Sequence, residues 1–498
     1  MIPDDTNSRT GGLKSRSVRA VFWSGTDLIL RQGLRFVVTI VLARLIAPDE
    51  FGAIAMLFLF VGLGSLFIDS GFGTALIQRQ NAKPEDESTV FIFNLAVGGA
   101  VALLLVLFAP AIAAFFDLAI LRPLTYVMAA NLFIGAFASI HIVLLTKELD
   151  FRTQMKASAT SQAISGVIAV VLAWMGFGVW SLAAQIVVAT VINVLLLWIL
   201  HPWRPRAGFR LASLRSLFRF GGFMLLSRLL NTLHERLYTL LIGRLYAAAD
   251  LGFFSRAEST QQIPASLLTS ILDRVAFPVF SAAATDKARL MRGVRSSLTT
   301  IVIVNTPIML GMAVTAGPLV QVLFGDMWSA SVPLLRILCF SGIFWPLHVI
   351  NLNVLMAQGR SDLFLRIEVV KSVFGVLVLL AASVYSVMAV AVGYVIVSFV
   401  SFLINSYYSG TILGYGALQQ ARDVLPYVGI SVIMAACIWP ISLSEALSPP
   451  VLLLLQFLAG ITVFVGGCKF LGLRAFNEAA DMLSVELRRH LGRPNRTR

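Results

Sequence analysis

Charged residues are scarce in this chain of 498 residues, at 13%, whereas hydrophobic residues make up 58%. Soluble domains typically carry about 25% charged residues, so this composition excludes an ordinary soluble protein. Apolar runs near the roughly 20 residues that cross a bilayer as a helix recur along nearly the whole length. They lack the two-residue alternation of outer-membrane strands, which makes a β-barrel improbable. The predicted fold class is an all-α polytopic membrane protein.

Cysteines and catalytic motifs are also sparse. The three cysteines, Cys339, Cys437 and Cys468, have no paired spacing and are interpreted as small core residues. The chain contains no G-x-x-x-x-G-K-[ST], H-E-x-x-H, C-x-x-C or G-x-S-x-G motif. We therefore predict no catalytic residue, no cofactor and no metal site. Outer connections too short for a catalytic domain favour transport over a membrane glycosyltransferase or polymerase, which is the less favoured alternative.

About fourteen transmembrane helices are predicted from the apolar runs. They cover residues 20–47, 50–76, 89–116, 121–146, 155–175, 177–200, 214–246, 250–279, 297–323, 329–357, 363–386, 388–413, 424–443 and 449–471. Polar residues weaken the signal of 214–246 and 250–279, so twelve is the fallback count.

The net charge of +14 follows membrane topology rather than a nucleic-acid surface. Basic residues concentrate in both tails and in alternate connections, while the opposite connections contain only Arg122. By the positive-inside rule this bias predicts a multi-pass protein of the plasma membrane with both termini in the cytoplasm. The basic tail after residue 471 is expected to lie on the anionic inner leaflet.

A motif repeats at an interval of 200 residues. Leu42-Ala43-Arg44-Leu45 is echoed by Ile242-Gly243-Arg244-Leu245, and the flanking positions match in the same order. Duplication of a six-helix unit explains this, and an even helix number makes the two copies parallel in topology. The predicted organisation is a cytoplasmic tail (1–19), an N-lobe (20–200), a basic linker (201–213), a C-lobe (214–413) around a shared cavity, two further spans (424–471) and a basic cytoplasmic tail (472–498).

Charged side chains inside the predicted spans are the main functional signal. The arginines are Arg31, Arg35, Arg44, Arg228, Arg236, Arg244, Arg256, Arg274 and Arg336, and the acids are Asp27, Asp69, Glu235, Glu258 and Asp273. Each such charge costs roughly 2.5–3.5 kcal/mol at the bilayer centre on insertion scales, so lipid-facing positions are unfavourable. The excess of arginine over acid predicts a polar cavity that binds an anion.

Guanidinium groups suit a diphosphate because their forked donors bind two oxygens at once. Asp27, Arg31 and Arg35 share one helix face at intervals of four residues. The predicted diphosphate-binding residues are Arg31, Arg35, Arg228, Arg236 and Arg256. Candidate ion-coupling carboxylates are Asp27, Asp69 and Glu235.

The alternative for each arginine is an ion pair with a nearby acid that only holds helices together. We favour that alternative for Arg274 beside Asp273, and for Arg44 and Arg244 near the outer helix ends. Arg336 has a further option, since its side chain can extend to the outer interface.

Several segments resemble bacterial polysaccharide flippases of the Wzx type. FIDSGFGTALIQR at 67–79 is similar to their second-helix signature, and LARLIAPDEFG at 42–52 to their first connection. GFGVWSL at 176–182 and LIGRLYAAADLGFFSRA at 241–257, followed by Phe-Pro at 277–278, also match their pattern. The resemblance is to the branch of colanic-acid and exopolysaccharide exporters and covers roughly residues 20–420.

The resemblance implies the multidrug/oligosaccharidyl-lipid/polysaccharide exporter fold with alternating access. It implies that the substrate is an undecaprenyl-diphosphate-linked oligosaccharide repeat unit, flipped across a bacterial inner membrane for surface or exopolysaccharide synthesis. The implied surroundings are membrane lipids, with a polysaccharide polymerase and co-polymerase as candidate partners. A lipid II flippase and a drug or cation antiporter of the same fold stay open as alternatives, although an antiporter of cations would favour an acid-rich cavity.

Overall fold

A computed structural model gives the structure of residues 6–69, 72–78, 83–206, 208–211, 229, 232–233, 236–444, 447–473 and 476–477. All regular structure in these residues is helical, and they contain no strand. The chain divides into two compact units, residues 1–252 and residues 253–498. The boundary falls inside one long helix, Ala248–Ala282, rather than in the basic segment 201–213. The lobe boundaries expected from the sequence stay a prediction.

Unit 1 is a bundle in which α2 packs against α4, α5, α7 and α8, and α1 lies along α6. Its described helices are α1 (Thr6–Leu45), α2 (Pro48–Asp69), α3 (Phe72–Gln78), α4 (Pro84–Phe115), α5 (Leu121–Lys147), α6 (Phe151–Trp174), α7 (Val179–Leu200) and α8 (Leu237–Leu245). The next helix, α9 (Ala248–Ala282), starts here and continues into unit 2.

Unit 2 is built around α10, which packs against α12 and α15, while α14 joins α12 to α13. Its helices after α9 are α10 (Lys287–Val314), α11 (Ala316–Phe324), α12 (Ser331–Ala357), α13 (Ser361–Ser383), α14 (Val387–Leu413), α15 (Ala417–Ile438) and α16 (Pro449–Phe470). Short 3-10 turns cover Asp326–Trp328 and Pro440–Leu443. The last two helices pack on α10 and α11, within unit 2.

Ten of the described helices are long and apolar enough to cross a membrane. Three further long helices, α1, α9 and α13, occupy predicted spans but carry more charges. Most of the predicted span 214–246 lies outside the described residues. The polytopic helical class is therefore confirmed, whereas the count of fourteen stays a prediction.

Two predicted spans are each made of two helices. Span 50–76 comprises α2 and α3, and span 297–323 comprises α10 and α11, which adjoin at Thr315. Prolines lie within long helices at Pro110, Pro307 and Pro346. Membrane helices accept such prolines because neighbouring groups satisfy the freed carbonyls.

Candidate functional site

The charged face of α1 begins with an anchored carboxylate. Asp27 is buried, and its Oδ1 accepts a hydrogen bond of 2.6 Å from the Ser158 hydroxyl on α6. Its Oδ2 lies 3.3 Å from Nη2 of Arg31, one turn along α1. The i,i+4 pair expected from the sequence therefore forms, and the serine adds a bond between helices. The Asp27 carboxylate therefore links α1 to α6.

One turn further along, Arg35 has a different environment. Its side chain is exposed, and no described carboxylate or acceptor pairs with its guanidinium. The charged groups that act on it electrostatically are the guanidinium groups of Arg236 and Arg31. Arg236 is also exposed and immediately precedes α8. The fold of unit 1 thus gathers three of the five predicted diphosphate ligands, which we call the arginine cluster (Arg31, Arg35 and Arg236).

Like charges at close range repel, and a membrane interior screens them less than water does. The arginine cluster is therefore unfavourable unless an anion or water compensates for it. A guanidinium does not relieve the repulsion by losing its proton, because arginine stays protonated in proteins. An anion with several oxygens satisfies both the charge and the donors of Arg35.

Arg256 is placed differently, in unit 2. Its side chain is buried on α9, and its guanidinium lies 5.4 Å from the ring centre of Phe324 and 5.3 Å from that of Trp328. A cation held over two aromatic faces is stabilised by their quadrupoles, by about 2 kcal/mol or more when desolvated. This packing favours a structural role for Arg256, and its role as a ligand stays a prediction. Arg228 lies outside the described residues.

The three candidate coupling carboxylates have unequal support. Asp27 has the partners given above. The side chain of Asp69, the last residue of α2, lies outside the described part of the chain, as does Glu235. Their role in ion coupling stays a prediction.

Aromatic rings also hold two of the arginines for which a structural role or the outer interface was considered. The guanidinium of Arg244 lies 5.6 Å from the ring centre of Phe115, and that of Arg336 lies 5.7 Å from the ring of Trp439. Both arginines are exposed. Arg44 is exposed as well, at the end of α1, and the side chain of Arg274 lies outside the description.

A histidine cluster in unit 1 was not predicted. His141 is buried on α5, and its ring centre lies 5.6 Å from that of His201 and 4.8 Å from that of Trp198. His201 Nε2 in turn lies 3.5 Å from a Glu148 oxygen. The aromatic run around residues 198–203 was the available signal, yet only the packing of α5 against α7 joins it to His141.

The segment after α7 is tied to unit 1 by polar contacts. Trp203 Nε1 donates to Glu87, at 2.8 Å, and Arg210 forms an ion pair with Glu85, at 2.6 Å. Arg204 donates to three carbonyls, including that of His201 at 2.9 Å, and so satisfies orphan acceptors at the end of α7. The basic segment predicted as a linker is thus anchored on the first turn of α4.

The fold defines a class first. The chain forms two compact helical units, and in the ranges that the structure describes ten helices are long and apolar enough to cross a membrane, which is the architecture of a polytopic membrane transporter. Solved structures agree on this fold. The lipid II flippase MurJ in an inward closed conformation has a TM-score of 0.75 at 13% identity, covering 91% of this chain and 98% of that one. An inward-facing multidrug resistance transporter of the MATE family, of the MOP superfamily, has a TM-score of 0.63 at 18% identity, covering 79% and 98%.

Sequence comparison then gives the family. The model of the family described as polysaccharide biosynthesis protein matches residues 41–333, and this chain belongs to that family. It is 31% identical to the succinoglycan biosynthesis transport protein ExoT of Rhizobium meliloti, covering 66% of this chain and 67% of that protein. It is 29% identical to the teichuronic acid biosynthesis protein TuaB of Bacillus subtilis, covering 76% and 79%. The lipopolysaccharide biosynthesis protein WzxC of Escherichia coli is 24% identical, covering 79% and 80%.

These findings confirm the resemblance described above. The protein is a multi-pass membrane transporter of polysaccharide biosynthesis and not an enzyme.

Proposed function

We propose that this transporter flips undecaprenyl-diphosphate-linked oligosaccharide repeat units across the bacterial inner membrane by alternating access. The observation that carries the proposal is the arginine cluster, in which Arg35 lacks a carboxylate partner among the described residues and is repelled by Arg31 and Arg236. Relatives named for teichuronic acid, succinoglycan and lipopolysaccharide synthesis support a glycan as the cargo.

Each residue of the cluster has its own part. The Asp27–Ser158 contact positions the α1 face, and Arg31 shares its charge between Asp27 and the cavity. Arg35 supplies forked donors to the diphosphate oxygens, and Arg236 adds a second positive charge beside it. The sugars occupy the aqueous side of the site, and the prenyl chain stays in lipid. Binding of the anion relieves the repulsion, so the loaded state is stabilised relative to the empty one.

The predicted topology completes the proposal. Both termini lie in the cytoplasm, so the substrate is loaded from the side where lysines and arginines dominate the connections. A polysaccharide polymerase and co-polymerase are the proposed partners on the opposite side. Transport is driven by an ion gradient or the membrane potential, with Asp69 and Glu235 as candidate coupling carboxylates.

The other members of the fold are less well supported as models of function. The likeness to MurJ concerns the fold, and at 13% identity it carries no substrate. An antiporter of cationic drugs would be poorly served by a cluster of three arginines, because like charges repel.

The proposal is tested in a strain lacking this protein, complemented with Arg35→Gln. The substitution leaves a polar side chain but removes the charge and the forked donors. Arg35 is exposed, so folding is expected to be intact. We expect polymer export to fall at least about tenfold, since a charged hydrogen bond is worth about 1.5–3 kcal/mol. Normal export from a variant present in the membrane at the wild-type level would refute the proposal.

A further inference from the structure

Unit 1 contains a cavity of about 350 Å³ where three turns meet at one end of the bundle. The start of α2, the turn between α4 and α5, and the turn between α6 and α7 all contribute to its wall. We call it the turn pocket. Its volume lies at the small end of the range for ligand pockets, roughly 300–1,000 Å³. It has room for a single ring-sized polar molecule and not for a lipid.

Two aromatic residues, Phe177 and Trp180, line the turn pocket and are partly exposed. Phe177 is 50% exposed and Trp180 is 37% exposed, and Leu118 forms part of the same wall. An aromatic face is electronegative and attracts polarised C–H groups. Such a wall suits the flat, C–H-bearing face of a pyranose ring.

Two acidic residues, Asp49 and Glu50, also line the turn pocket. Glu50 accepts a 3.0 Å hydrogen bond from the Val179 backbone, which begins α7, and so is held in place. Asp49 is exposed and makes no hydrogen bond or ion pair with any residue that the structure describes. Carboxylate oxygens are strong acceptors for hydroxyl groups.

The wall of the turn pocket leaves no space for a side chain at position 178, beside the Glu50 carboxylate. Gly178 has φ +51°, and a Cβ at that position would lie 2.0 Å from Glu50 Oε1. A side chain at position 178 would therefore displace the Glu50 carboxylate.

The charge of the turn pocket limits its ligand. The described residues that line it include Asp49 and Glu50 but no lysine or arginine, so a diphosphate or an acidic sugar is disfavoured there. A wall that is mostly apolar does not suit a bare metal ion, which needs several oxygen ligands. A neutral molecule with one C–H face and several hydroxyls fits both halves of the wall.

We propose that the turn pocket binds one neutral pyranose ring of the exported glycan, stacked on Trp180 and Phe177 and hydrogen-bonded to Asp49. This inference rests on the proposed function, since it divides the substrate between two sites: the diphosphate at the arginine cluster and a sugar at the turn pocket. The pocket lies at the end of unit 1 that the charge bias of the connections places outside the cytoplasm. It therefore provides a sugar contact on the side of release.

The test is saturation-transfer NMR on the full-length protein in phospholipid nanodiscs, which avoid the sugar headgroups of common detergents. The probes are methyl glucopyranoside, methyl galactopyranoside and methyl mannopyranoside, with methyl glucuronide as the anionic comparison. We expect binding of at least one neutral glycoside and weaker binding of the glucuronide. Trp180→Ala should weaken neutral binding about tenfold, because an aromatic contact is worth up to about 1.5 kcal/mol.

Matched controls separate this site from a general effect of interfacial aromatics. Trp174→Ala removes a tryptophan that is 80% exposed at the end of α6 and does not line the pocket, so binding should persist. Asp49→Asn should narrow the discrimination against the glucuronide, whereas Asp117→Asn, outside the lining, should leave it unchanged. Both aspartates are exposed, so these variants should fold.

The outcomes are distinguishable from those of the proposed function. Inorganic pyrophosphate binding should be lost in Arg35→Gln and retained in Trp180→Ala. Absence of any neutral glycoside signal, or an equal signal in wild type and Trp180→Ala, overturns the sugar site and leaves the arginine cluster standing. If Arg35→Gln and Trp180→Ala both still bind pyrophosphate, that result contradicts the arginine cluster and leaves the sugar site untouched.

Discussion

Gly52 and Gly252 lie 200 residues apart in the sequence, and each packs against the start of the helix that contains the other. A Cβ on Gly52 would lie 1.8 Å from the carbonyl oxygen of Ala248, and a Cβ on Gly252 would lie 2.0 Å from that of Pro48. Each glycine thus faces the residue four positions before its counterpart. The two glycines occupy equivalent positions in the repeat inferred from the sequence. Their equivalent contacts make the crossing of α2 and α9 nearly symmetric within unit 1.

We predict that Gly52→Ala destabilises the protein by about 3 kcal/mol or more. No side chain fits against backbone atoms at that distance, so the helices must separate, and overpacking of this kind costs about 1–3 kcal/mol even where neighbours can yield. Thermal unfolding followed by size-exclusion chromatography in detergent measures the effect. Gly62→Ala on the same helix is the control, because nothing lies within 4 Å of its Cβ position. Equal stability of the two variants would show that the crossing is looser than described.

We predict that Arg35→Gln abolishes binding of inorganic pyrophosphate to the purified protein. The substitution removes one of three clustered cations, and the remaining donors no longer surround the anion. Isothermal titration at low salt measures binding, since screening weakens exposed charges. Arg122→Gln, an exposed arginine hydrogen-bonded to Tyr126, is the control and should bind as wild type does. Unaltered binding by Arg35→Gln would exclude the arginine cluster as the anion site.

We predict that Ser158→Ala costs about 1.5–3 kcal/mol of stability, because it removes a hydrogen bond to a buried carboxylate. Denaturation monitored by tryptophan fluorescence measures the loss. Ser165→Ala on the same helix is the matched control, since its hydroxyl bonds only to a carbonyl of that helix, Gln162 O. If both variants unfold alike, Asp27 does not depend on α6.

We predict an alkaline loss of stability that depends on Tyr415, which lies between α14 and α15. Burial, and a hydrogen bond that its hydroxyl donates to Asp423, raise the pKa of Tyr415 above the ordinary value for tyrosine, about 10. Below pH 10 the phenol is neutral in both states and its contribution is complete. Above pH 10 the unfolded chain releases the proton while the folded protein retains it, so unfolding becomes more favourable as the pH rises.

The corresponding measurement compares the melting temperatures of wild type and Tyr415→Phe from pH 8 to pH 11. The phenylalanine variant should be less stable at pH 8, and the gap should narrow above pH 10. Tyr385→Phe, at an exposed tyrosine between α13 and α14, should give no pH-dependent difference from wild type. A gap that stays constant with pH would contradict a neutral, buried Tyr415.

Much of the fold could be predicted because hydrophobicity is a local property of the chain. Each of the ten described helices that can cross a membrane overlaps a predicted span, but some ends differ, since Lys287–Val314 begins well before the predicted span 297–323 and Ala417–Leu443 well before 424–443. The division at Thr315 was missed, since the apolar run continues through it. Helices α1, α9 and α13 were predicted despite their charges.

The candidate site could be predicted only as a set of residue types. Spacing placed Asp27, Arg31 and Arg35 on one helix face, and the ion pair between the first two follows from that spacing alone. Spacing could not show that Arg236 joins them, or that Arg256 lies over two rings in unit 2. Local patterns likewise could not predict that His141 contacts His201, or that Phe177 and Trp180 line the turn pocket.

By itself the sequence determined that this is a helical membrane protein with charged residues too costly to face lipid, because transfer of each side chain into a bilayer depends mainly on its own chemistry. The duplication was also visible, since repeats keep their order along the chain. Only the tertiary structure decided which arginines act on one another and which are held by aromatic rings. Those outcomes depend on contacts between segments up to 200 residues apart, which no spacing within one helix specifies.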